Sequence, residues 1–230
     1  SVSGTLVDEN DQPIAGQTIT ITDANGSHDV TTKTDGTYSF AGVANGEITI
    51  AVSNVDGYVP FTNLTPTVAG KSLTGQNFKA VPSTISGTVT GTDASGNPAD
   101  LDGLKVTITD SQGHTQTTTV ENGKYEFTKV PNETYTVSVE QKDTYVAFDD
   151  QTGIVVANDN KTANFTTAPL TVSGKLVDEN GQPIAGQTIT LTDKNGTYNV
   201  TTESDGTYSF AGVANGDISI TSTVPDGYNY

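Results

Sequence analysis

Short runs of alternating apolar and polar residues recur along the chain. In residues 17–22, QTITIT, Ile19 and Ile21 fall on one side and the threonines on the other, and residues 2–7 and 104–109 follow a similar pattern. Strict alternation over about four to eight residues predicts a half-buried β-strand. Turn signals rich in Asp, Asn and Gly recur every eight to twelve residues, and no long helical periodicity is present. The pattern predicts an all-β protein.

One stretch of turn and aromatic residues occurs three times. Residues 32–46, TKTDGTYSFAGVANG, return as residues 202–216, TESDGTYSFAGVANG, and more loosely as residues 119–135. Each copy has an Asp-Gly or Asn-Gly pair, which supplies the positive φ of a two-residue hairpin turn. A tyrosine and a phenylalanine follow, two residues apart and therefore on one face of a strand. The pattern predicts β-hairpins at Asp35-Gly36, Asn122-Gly123 and Asp205-Gly206 that place Tyr38/Phe40, Tyr125/Phe127 and Tyr208/Phe210 in a core.

The whole chain is built from repeats. Residues 2–58 and 172–228 are identical at 41 of 57 positions without a gap, and a weaker copy begins at Ile85. The starts are 83 and 87 residues apart, which is too long for a solenoid unit and fits a small β-sandwich. We predict three tandem seven-strand, Ig-like Greek-key β-sandwich domains: repeat 1 in residues 1–82, repeat 2 in residues 83–169 and repeat 3 in residues 170–230.

Repeat 3 is predicted to be incomplete. Repeat 1 has two further apolar segments, near residues 61–68 and 73–80, that have no counterpart in repeat 3. Its sandwich would lack the last two strands, and one sheet edge would stay unpaired. We expect repeat 3 either to be less stable than repeats 1 and 2 or to receive strands from a neighbouring chain.

Two short junctions connect the repeats. Residues 81–84, VPST, and residues 168–171, APLT, each contain one Pro and no Gly. Short joints of this composition restrict bending more than Gly/Ser tethers of equal length. With strands of about 20 to 25 Å, three such domains placed end to end would form a rod on the order of 100 Å.

The amino-acid composition of the chain excludes several classes of function. The chain has no Cys, Met or Trp, its ten basic residues are all Lys, and its net charge is −17. Without Cys there is neither a disulfide framework nor a thiolate metal site. An acidic chain with no basic stripe is a poor partner for nucleic acid or anionic lipid. Because no apolar run approaches the roughly 18 residues of a membrane span, we expect neither nucleic-acid binding nor membrane insertion.

Acidic turns are the candidate metal sites. Asp8, Asn10, Asp178 and Asn180 lie in the first turns of repeats 1 and 3, and Ca²⁺ prefers oxygen donors of this kind. No turn has the D-x-D/N-x-D/N-G spacing with a trailing Glu that marks a calcium loop, and the same residue types serve any tight turn. We predict that these residues form turns and hold no cofactor, with calcium binding as the weaker alternative.

Catalytic chemistry has few candidate residues. His28 and His114 are the only imidazoles, and repeat 3 has Tyr198 at the position of His28. A nucleophile, a base and an orienting acid would have to come from turns that differ between copies. The adjacent carboxylates Asp149 and Asp150 cannot face each other across a cleft as glycosidase acids do. We predict that the protein is not an enzyme.

Three tyrosines recur beside an acidic corner. Tyr58, Tyr145 and Tyr228 each follow an Asp by two residues. They could stack on sugars, or each could form a tyrosine corner that packs on the sheet with its hydroxyl on a backbone group. Because a fold requirement repeats with the fold, we favour the tyrosine corner.

The order of these motifs carries a family resemblance. Repeat 1 reads V-S-G-T-L-V-D-E-N-D-Q-P-I-A-G-Q-T-I-T-I, then T-D-G-T-Y-S-F-A-G-V-A-N-G, then D-G-Y. This resembles the carboxypeptidase-regulatory-like and collagen-adhesin B-type families, the prealbumin-like sandwiches that repeat along Gram-positive surface proteins. The resemblance covers repeats 1 and 2 and repeat 3 until it ends. It implies an extracellular, wall-anchored or secreted adhesin in which such modules serve mainly as a stalk.

Many B-type relatives carry a Lys-to-Asn isopeptide bond assisted by a buried acid. The resemblance places the lysine at Leu6 and Leu176 and the acid at Val52 and Val139. Both charged partners are thus replaced by apolar residues. Asn77 and Asn164 could still occupy the position of the acceptor, but an Asn without a buried amine beside it has nothing to react with. We predict no isopeptide bond.

These observations lead to two hypotheses about function. The first is a non-enzymatic structural stalk of a bacterial cell-surface adhesin, whose partners are neighbouring repeats of the same long protein and which projects a distal binding region. The second is that the repeats themselves bind host glycans or matrix proteins, or self-associate between cells in a biofilm. The ligand in that case is not identifiable from the sequence, and no ligand-binding residue is predicted.

Overall fold

The computed structural model describes residues 1–223 and 226–227. In this part of the chain every regular element is a β-strand, and no helix is long and apolar enough to cross a membrane. The prediction of an all-β fold is confirmed. Tyr228, one of the three recurrent tyrosines, lies outside the described residues.

Repeat 1 contains eight strand segments: β1 (Val2–Val7), β2 (Thr18–Asp23), β3 (Gly26–Thr31), β4 (Thr37–Phe40), β5 (Gly46–Glu47), β6 (Thr49–Val52), β7 (Thr67–Val68) and β8 (Phe78–Lys79). Strands β4, β1 and β8 form one sheet, strands β3, β2 and β6 form a second, and β5 pairs with β7. The count exceeds the predicted seven because the fifth strand is split: β6 pairs with β2, whereas β5 pairs with β7.

Repeat 2 repeats this plan with longer strands: β9 (Thr84–Gly91), β10 (Lys105–Asp110), β11 (Thr115–Thr119), β12 (Lys124–Thr128), β13 (Glu133–Val139), β14 (Gln151–Val156), β15 (Lys161–Thr162) and β16 (Phe165–Thr167). One sheet has the order β11-β10-β13-β14. In the other, β9 lies between β12 and the last two segments, β15 and β16.

Repeat 3 contains five strands among the described residues: β17 (Thr171–Lys175), β18 (Thr188–Asp193), β19 (Gly196–Thr201), β20 (Thr207–Ala211) and β21 (Ser219–Ser222). Strand β17 pairs with β20, and β18 lies between β19 and β21. Within the described part of repeat 3, no strand takes the place that β8 has beside β1.

The strands on either side of Asp35-Gly36, Asn122-Gly123 and Asp205-Gly206 do not pair as β-hairpins, so that prediction is wrong. At the second and third turns, β11 and β19 pair with β10 and β18, whereas β12 and β20 pair with β9 and β17.

The same separation occurs at Asp35-Gly36. Strand β3 before the turn pairs with β2, whereas β4 after it pairs with β1 in the other sheet. The tight turn itself forms, since the Gly36 N–H donates to Lys33 O over 2.9 Å. The chain crosses between sheets here because Tyr38, buried on β4, faces the core from the sheet opposite β3. The true tight hairpin joins β2 and β3, where Asp23 pairs with Gly26.

Each repeat has its own apolar core. In repeat 1 it includes Leu6, Ile19 and Ile21, none of which has any exposed surface. The predicted burial of both rings of the fourth strand is confirmed in repeat 2, where Tyr125 and Phe127 are both buried and meet edge to face with centroids 6.0 Å apart. In repeats 1 and 3 one ring of each pair, Phe40 and Tyr208, is only partly buried. Burial of rings and branched side chains supplies the main free energy that holds such small sandwiches together.

In repeat 1, the chain that leads into the last strand lies directly against Gly4 of the first strand, where there is no side chain. Strand β8 runs parallel to β1, and a Cβ added to Gly4 would lie 1.9 Å from Gln76 O. The Tyr38 hydroxyl donates to the same carbonyl over 2.6 Å. Burial raises the pKa of Tyr38 to about 12, so the hydroxyl keeps its proton and remains a donor.

Repeat 2 has the same arrangement. A Cβ on Gly87 would lie 1.8 Å from Ala163 O, and the Tyr125 hydroxyl donates to that carbonyl over 2.5 Å. Neither glycine has a positive φ, so what each position requires is the absence of a side chain. The glycine and the tyrosine together hold one carbonyl of the last strand.

We expect Gly87→Ala to destabilise repeat 2 by about 1 to 3 kcal/mol, in the range of overpacked cores, because the added methyl meets a backbone carbonyl that cannot move without breaking the β9 ladder. Urea unfolding followed by amide signals of repeat 2 measures the change. The matched control is Ser86→Ala on the same strand, which adds no atom. Equal midpoints for the two variants would contradict this account of the closure.

Candidate functional site

The two junctions between repeats are fixed by hydrogen bonds and are not free tethers. Both are held by backbone hydrogen bonds from the repeats on either side, and Ser83 in the first junction has no exposed surface. The same four contacts occur in each. At the first junction they are Val59 N to Val81 O, Ser83 N to Gly57 O, Val130 N to Ser83 O and Asn132 N to the Asp56 carboxylate; at the second they are Val146 N to Ala168 O, Leu170 N to Thr144 O, Val213 N to Leu170 O and Asn215 N to the Asp143 carboxylate.

The carboxylate contact joins the acidic corner of one repeat directly to the next repeat. The Asn132 N–H donates to Asp56 Oδ1 over 2.6 Å, and the Asn215 N–H donates to Asp143 Oδ1 over 3.0 Å. The Asn215 N–H is the main cause that lowers the pKa of Asp143. Because the folded-state pKa is depressed, this contribution to the joint is present above the ordinary Asp value of about 3.9 and is lost as the pH falls through the lowered pKa.

Joint 1, the contact between repeats 1 and 2, has a further buried amide. Asn158 is 9% exposed, and its Nδ2 donates to Val55 O and Tyr58 O over 2.8 and 2.9 Å. Its other groups bond reciprocally with the side chain of Asn132. A buried amide whose donors and acceptor are all satisfied fixes the relative position of the groups it connects.

Tyr58 lies inside joint 1. It is 3% exposed, its hydroxyl donates to Glu9 Oε2 over 2.9 Å, and Lys129 Nζ lies 5.1 Å from its ring centroid. The packing predicted for this tyrosine is therefore found, but the predicted backbone partner of its hydroxyl is wrong. A cation over an aromatic face is attracted by the ring quadrupole, and the hydrogen bond with Tyr58 raises the pKa of Lys129. Tyr145 is likewise buried, so neither ring offers a free face for stacking on a sugar.

Joint 2, the contact between repeats 2 and 3, uses a lysine in place of the buried amide. Lys194 Nζ lies 3.1 Å from Asp143 Oδ2, and Asn195 Nδ2 donates to the same oxygen over 3.4 Å. Asp143 thus contacts a backbone N–H, an ammonium group and an amide of the following repeat. The two joints share the backbone pattern and differ in their side chains.

The calcium candidates form turns. Asp8 Oδ1 accepts the backbone N–H groups of Asn10 and Gln12, each over 2.8 Å, and Asp178 Oδ1 does the same for Asn180 and Gln182. The Gln12 N–H is the largest cause that lowers the pKa of Asp8. Within residues 1–223 and 226–227, no three His, Cys, Asp or Glu side chains converge as a metal site would need. That these turns bind no calcium stays a prediction, which a calcium titration would test.

The structure does not bring the candidate catalytic residues together. His28 in repeat 1 stacks on Phe40 with centroids 4.7 Å apart, and His114 in repeat 2 contacts Asp110 over 2.9 Å. Asp149 and Asp150 are exposed in repeat 2. These residues form local contacts that differ from repeat to repeat.

The positions that hold the isopeptide partners in relatives are filled by packing and hydrogen bonds. Leu6 is fully buried in the core of repeat 1. Asn77 Oδ1 accepts the Thr5 N–H and Asn164 Oδ1 accepts the Thr88 N–H, each over 2.9 Å. Both asparagines therefore connect the last strand to the first by a hydrogen bond.

Sequence reasoning missed the residues of the joints. Asp56 and Asp143 were visible only as the acids two positions before a recurrent tyrosine, and Asn132 and Asn215 only as the end of the repeated turn. A signal was present, since both pairs recur at matched positions of consecutive repeats. A pairing between neighbouring repeats explains why both members recur.

We expect Asp143→Ala to loosen joint 2 without unfolding either repeat, because it removes contacts that only connect the two. The chain lacks Cys, so spin labels can be placed at Glu126→Cys and Ser209→Cys. Electron–electron distance measurements should give a broader distribution for the variant, whereas Asp149→Ala, at an exposed carboxylate in the same repeat, should not change it. An unchanged distribution in Asp143→Ala would refute a stiffening role for this contact.

Comparison with known proteins gives a family and several distant structures. The sequence profile of the carboxypeptidase regulatory-like domain matches residues 1–80, 84–168 and 171–228. Among solved structures, the chain is similar to the Bacillus anthracis TIE protein (16% identity, 99% of this chain, TM-score 0.45) and spans only 46% of that protein's length.

Two pilins also resemble the chain. The streptococcal ancillary pilin is 13% identical over 99% of this chain and 92% of its own, with a TM-score of 0.41. The shaft pilin SpaA of Lactobacillus rhamnosus GG is 17% identical over 76% of this chain and 98% of its own, with a TM-score of 0.33. No curated protein matches. Because the family profile covers nearly the whole sequence in three consecutive matches, the chain belongs to the carboxypeptidase regulatory-like domain family.

Proposed function

We propose that the chain is a non-enzymatic spacer of an extracellular bacterial surface protein, in which the repeats resist tension and hold a distal region away from the cell. The observation that carries this proposal is the pairing of the first and last strands of repeats 1 and 2. In each, the two strands are adjacent and parallel.

Parallel terminal strands have a mechanical consequence. The chain enters a repeat at the start of the first strand and leaves it at the end of the last strand. Because the strands run in the same direction, these two points lie at opposite ends of the pair. Tension along the chain therefore slides the strands past each other and lengthens all their hydrogen bonds together, whereas antiparallel terminal strands would separate one bond at a time.

The ladder is longer in repeat 2 than in repeat 1. Strand β9 pairs with β15 and β16 at five positions, whereas β1 pairs with β8 at two and has one further bridge between Val2 and Leu73. Asparagine side chains add to the ladder from the last strand, through Asn77 in repeat 1 and Asn160 and Asn164 in repeat 2.

The joints support the same role. In a spacer, each repeat must transmit tension to the next and fix its orientation. At both junctions, backbone hydrogen bonds within a short stretch of chain connect one repeat to the next. The charge supports it as well, since a net charge of −17 makes neighbouring molecules repel one another and stay separate.

The test is to stretch single molecules from both ends. Asn164→Ala removes the acceptor of the Thr88 N–H from the middle of the ladder. Loss of about 1 kcal/mol from one hydrogen bond should make repeat 2 unfold about fivefold faster under load. The control Asn97→Ala, in an exposed turn of the same repeat, should leave the unfolding force unchanged. If both variants unfold at the wild-type force, the proposal that this ladder resists tension is wrong.

The alternative, in which the repeats themselves bind host glycans or matrix proteins, is tested separately. We expect no reproducible binding of the chain to a glycan array or to a panel of mucins and matrix proteins, because Tyr58 and Tyr145 are buried in or beside the joints. Reproducible, saturable binding to one member of the panel would show that the repeats are more than a spacer.

A further inference from the structure

The acidic corner of each repeat contains a residue with a positive φ. Gly57, Thr144 and Gly227 hold matching positions, with φ of 82°, 72° and 89°. In repeats 1 and 2 this residue is the third of a tight turn closed by a backbone hydrogen bond, where a positive φ favours glycine. Threonine is branched at Cβ and rarely adopts this conformation. Repeat 2 therefore keeps a strained side chain at a position where repeats 1 and 3 have none.

The turn that meets this corner from the next repeat has a second position of the same kind. Lys129 in repeat 2 has a φ of 56°, and the matching residues Gly42 and Gly212 have φ of 84° and 74°. Repeat 2 has a side chain at both positions, whereas repeats 1 and 3 have glycine at both. Each joint therefore combines one glycine with one side chain: Gly57 with Lys129 in joint 1, and Thr144 with Gly212 in joint 2.

In joint 1 the two positions are in contact. A Cβ added to Gly57 would lie 3.3 Å from Lys129 Cγ and 3.4 Å from Lys129 O. The lysine stem crosses the corner there, and its Nζ lies 5.1 Å from the Tyr58 ring centroid and 3.8 Å from Glu9 Oε1. Because Gly57 has no side chain, Lys129 can reach two groups of repeat 1.

In joint 2 the same two positions flank the junction residue Leu170. Thr144 O accepts the Leu170 N–H over 2.8 Å, and the Gly212 N–H donates to Leu170 O over 2.9 Å. Ala94 holds the position of Glu9, and a Cβ added to Gly212 would lie 3.6 Å from Ala94 Cβ. Joint 2 therefore has neither the lysine nor the acid that meet at these positions in joint 1.

We propose that these positions determine which repeats can be neighbours. A repeat with glycine at its acidic corner, such as repeat 1, accepts a repeat that has lysine at the facing turn. A repeat with threonine at its corner, such as repeat 2, accepts a repeat that has glycine at that turn. The partner of each surface is a repeat of the complementary kind, and the two kinds alternate along the chain.

Mismatched neighbours are excluded by a clash and by an unpaired charge, which are common means of specificity. If the corner of repeat 2 met the turn of a second copy of repeat 2, Thr144 would put a branched side chain where the Lys129 stem has to lie. The ammonium group would also lack its carboxylate, since Ala94 replaces Glu9. This preference concerns the order of the repeats, and it holds whether or not the ladder of terminal strands resists tension.

The experiment is a double-variant cycle at joint 1 in the whole 230-residue chain. Gly57→Thr places the corner residue of repeat 2 against Lys129. The Asn132 N–H donates to Asp56 across the joint, so its amide exchange reports whether the joint is closed. We expect Gly57→Thr to speed this exchange about tenfold, in line with the cost of an overpacked contact. The amide of Ile21 should stay protected, which shows that repeat 1 is folded.

The second substitution restores the match. Gly57→Thr together with Lys129→Gly reproduces the pair found in joint 2, so the Asn132 amide should exchange more slowly than in Gly57→Thr alone. The backbone strain at residue 57 is present in both variants, and the difference between them therefore reports the contact with Lys129. The control Gly42→Thr adds the same side chain at a φ of 84° with no atom within 4 Å of its Cβ, and it should leave Asn132 exchange unchanged.

Joint 2 provides the reverse test, which decides the matter if Gly57→Thr unfolds repeat 1. Gly212→Lys puts side chains at both positions of this joint. It should speed exchange of the Asn215 N–H, which donates to Asp143 across the joint. Adding Thr144→Gly reproduces the pair of joint 1 and should slow that exchange again.

Two results would overturn the proposal. One is wild-type exchange of Asn132 in a folded Gly57→Thr variant, since the corner would then accept a side chain opposite Lys129. The other is a second substitution that fails to slow the exchange at either joint, since the two facing positions would then act independently.

Discussion

The close approach of the last strand to the first is the constraint on which the architecture depends. It needs a position without a side chain, at Gly4 or Gly87, and a buried tyrosine hydroxyl that holds the carbonyl placed there. The hydroxyl is protonated at neutral pH, and burial raises the pKa of Tyr38 further. The contact closes the sandwich over its core, and it places the two ends of the repeat on one pair of parallel strands.

The joints follow from that placement. Since the last strand of one repeat leads directly into the first strand of the next, the corner at Asp56 or Asp143 comes against the turn at Asn132 or Asn215. Most of the contacts are backbone hydrogen bonds, which do not require long side chains to be ordered and so lose little conformational entropy. Side chains then add contacts that differ between the joints, Asn158 in joint 1 and Lys194 in joint 2.

The features that the sequence predicted correctly are local. Alternation identified β2 and the burial of Ile19 and Ile21, and spacing placed Tyr125 and Phe127 on one face, because a side chain's direction depends on adjacent residues. What failed depended on distant partners. Gly36 marked a tight turn but could not tell which sheet β4 would join, and the partner of the Tyr58 hydroxyl, Glu9, is 49 residues away. The joints were missed because each contact pairs a residue of one repeat with a residue of the next, so its signal lies in the recurrence of both members and in no single motif.

The division of each repeat into two sheets also separates two kinds of sequence change. Between repeats 1 and 3, one of the ten residues in β1 and β4 differs, whereas seven of the sixteen in β2, β3 and β6 do. Among them, His28 and Asp29 stand where repeat 3 has Tyr198 and Asn199. The sheet built on β2 contains neither terminal strand, so substitutions there alter the chemistry of the outer surface and leave the ladder between the first and last strands intact. Such a repeat can diversify on one side while its other side stays under a fixed structural requirement.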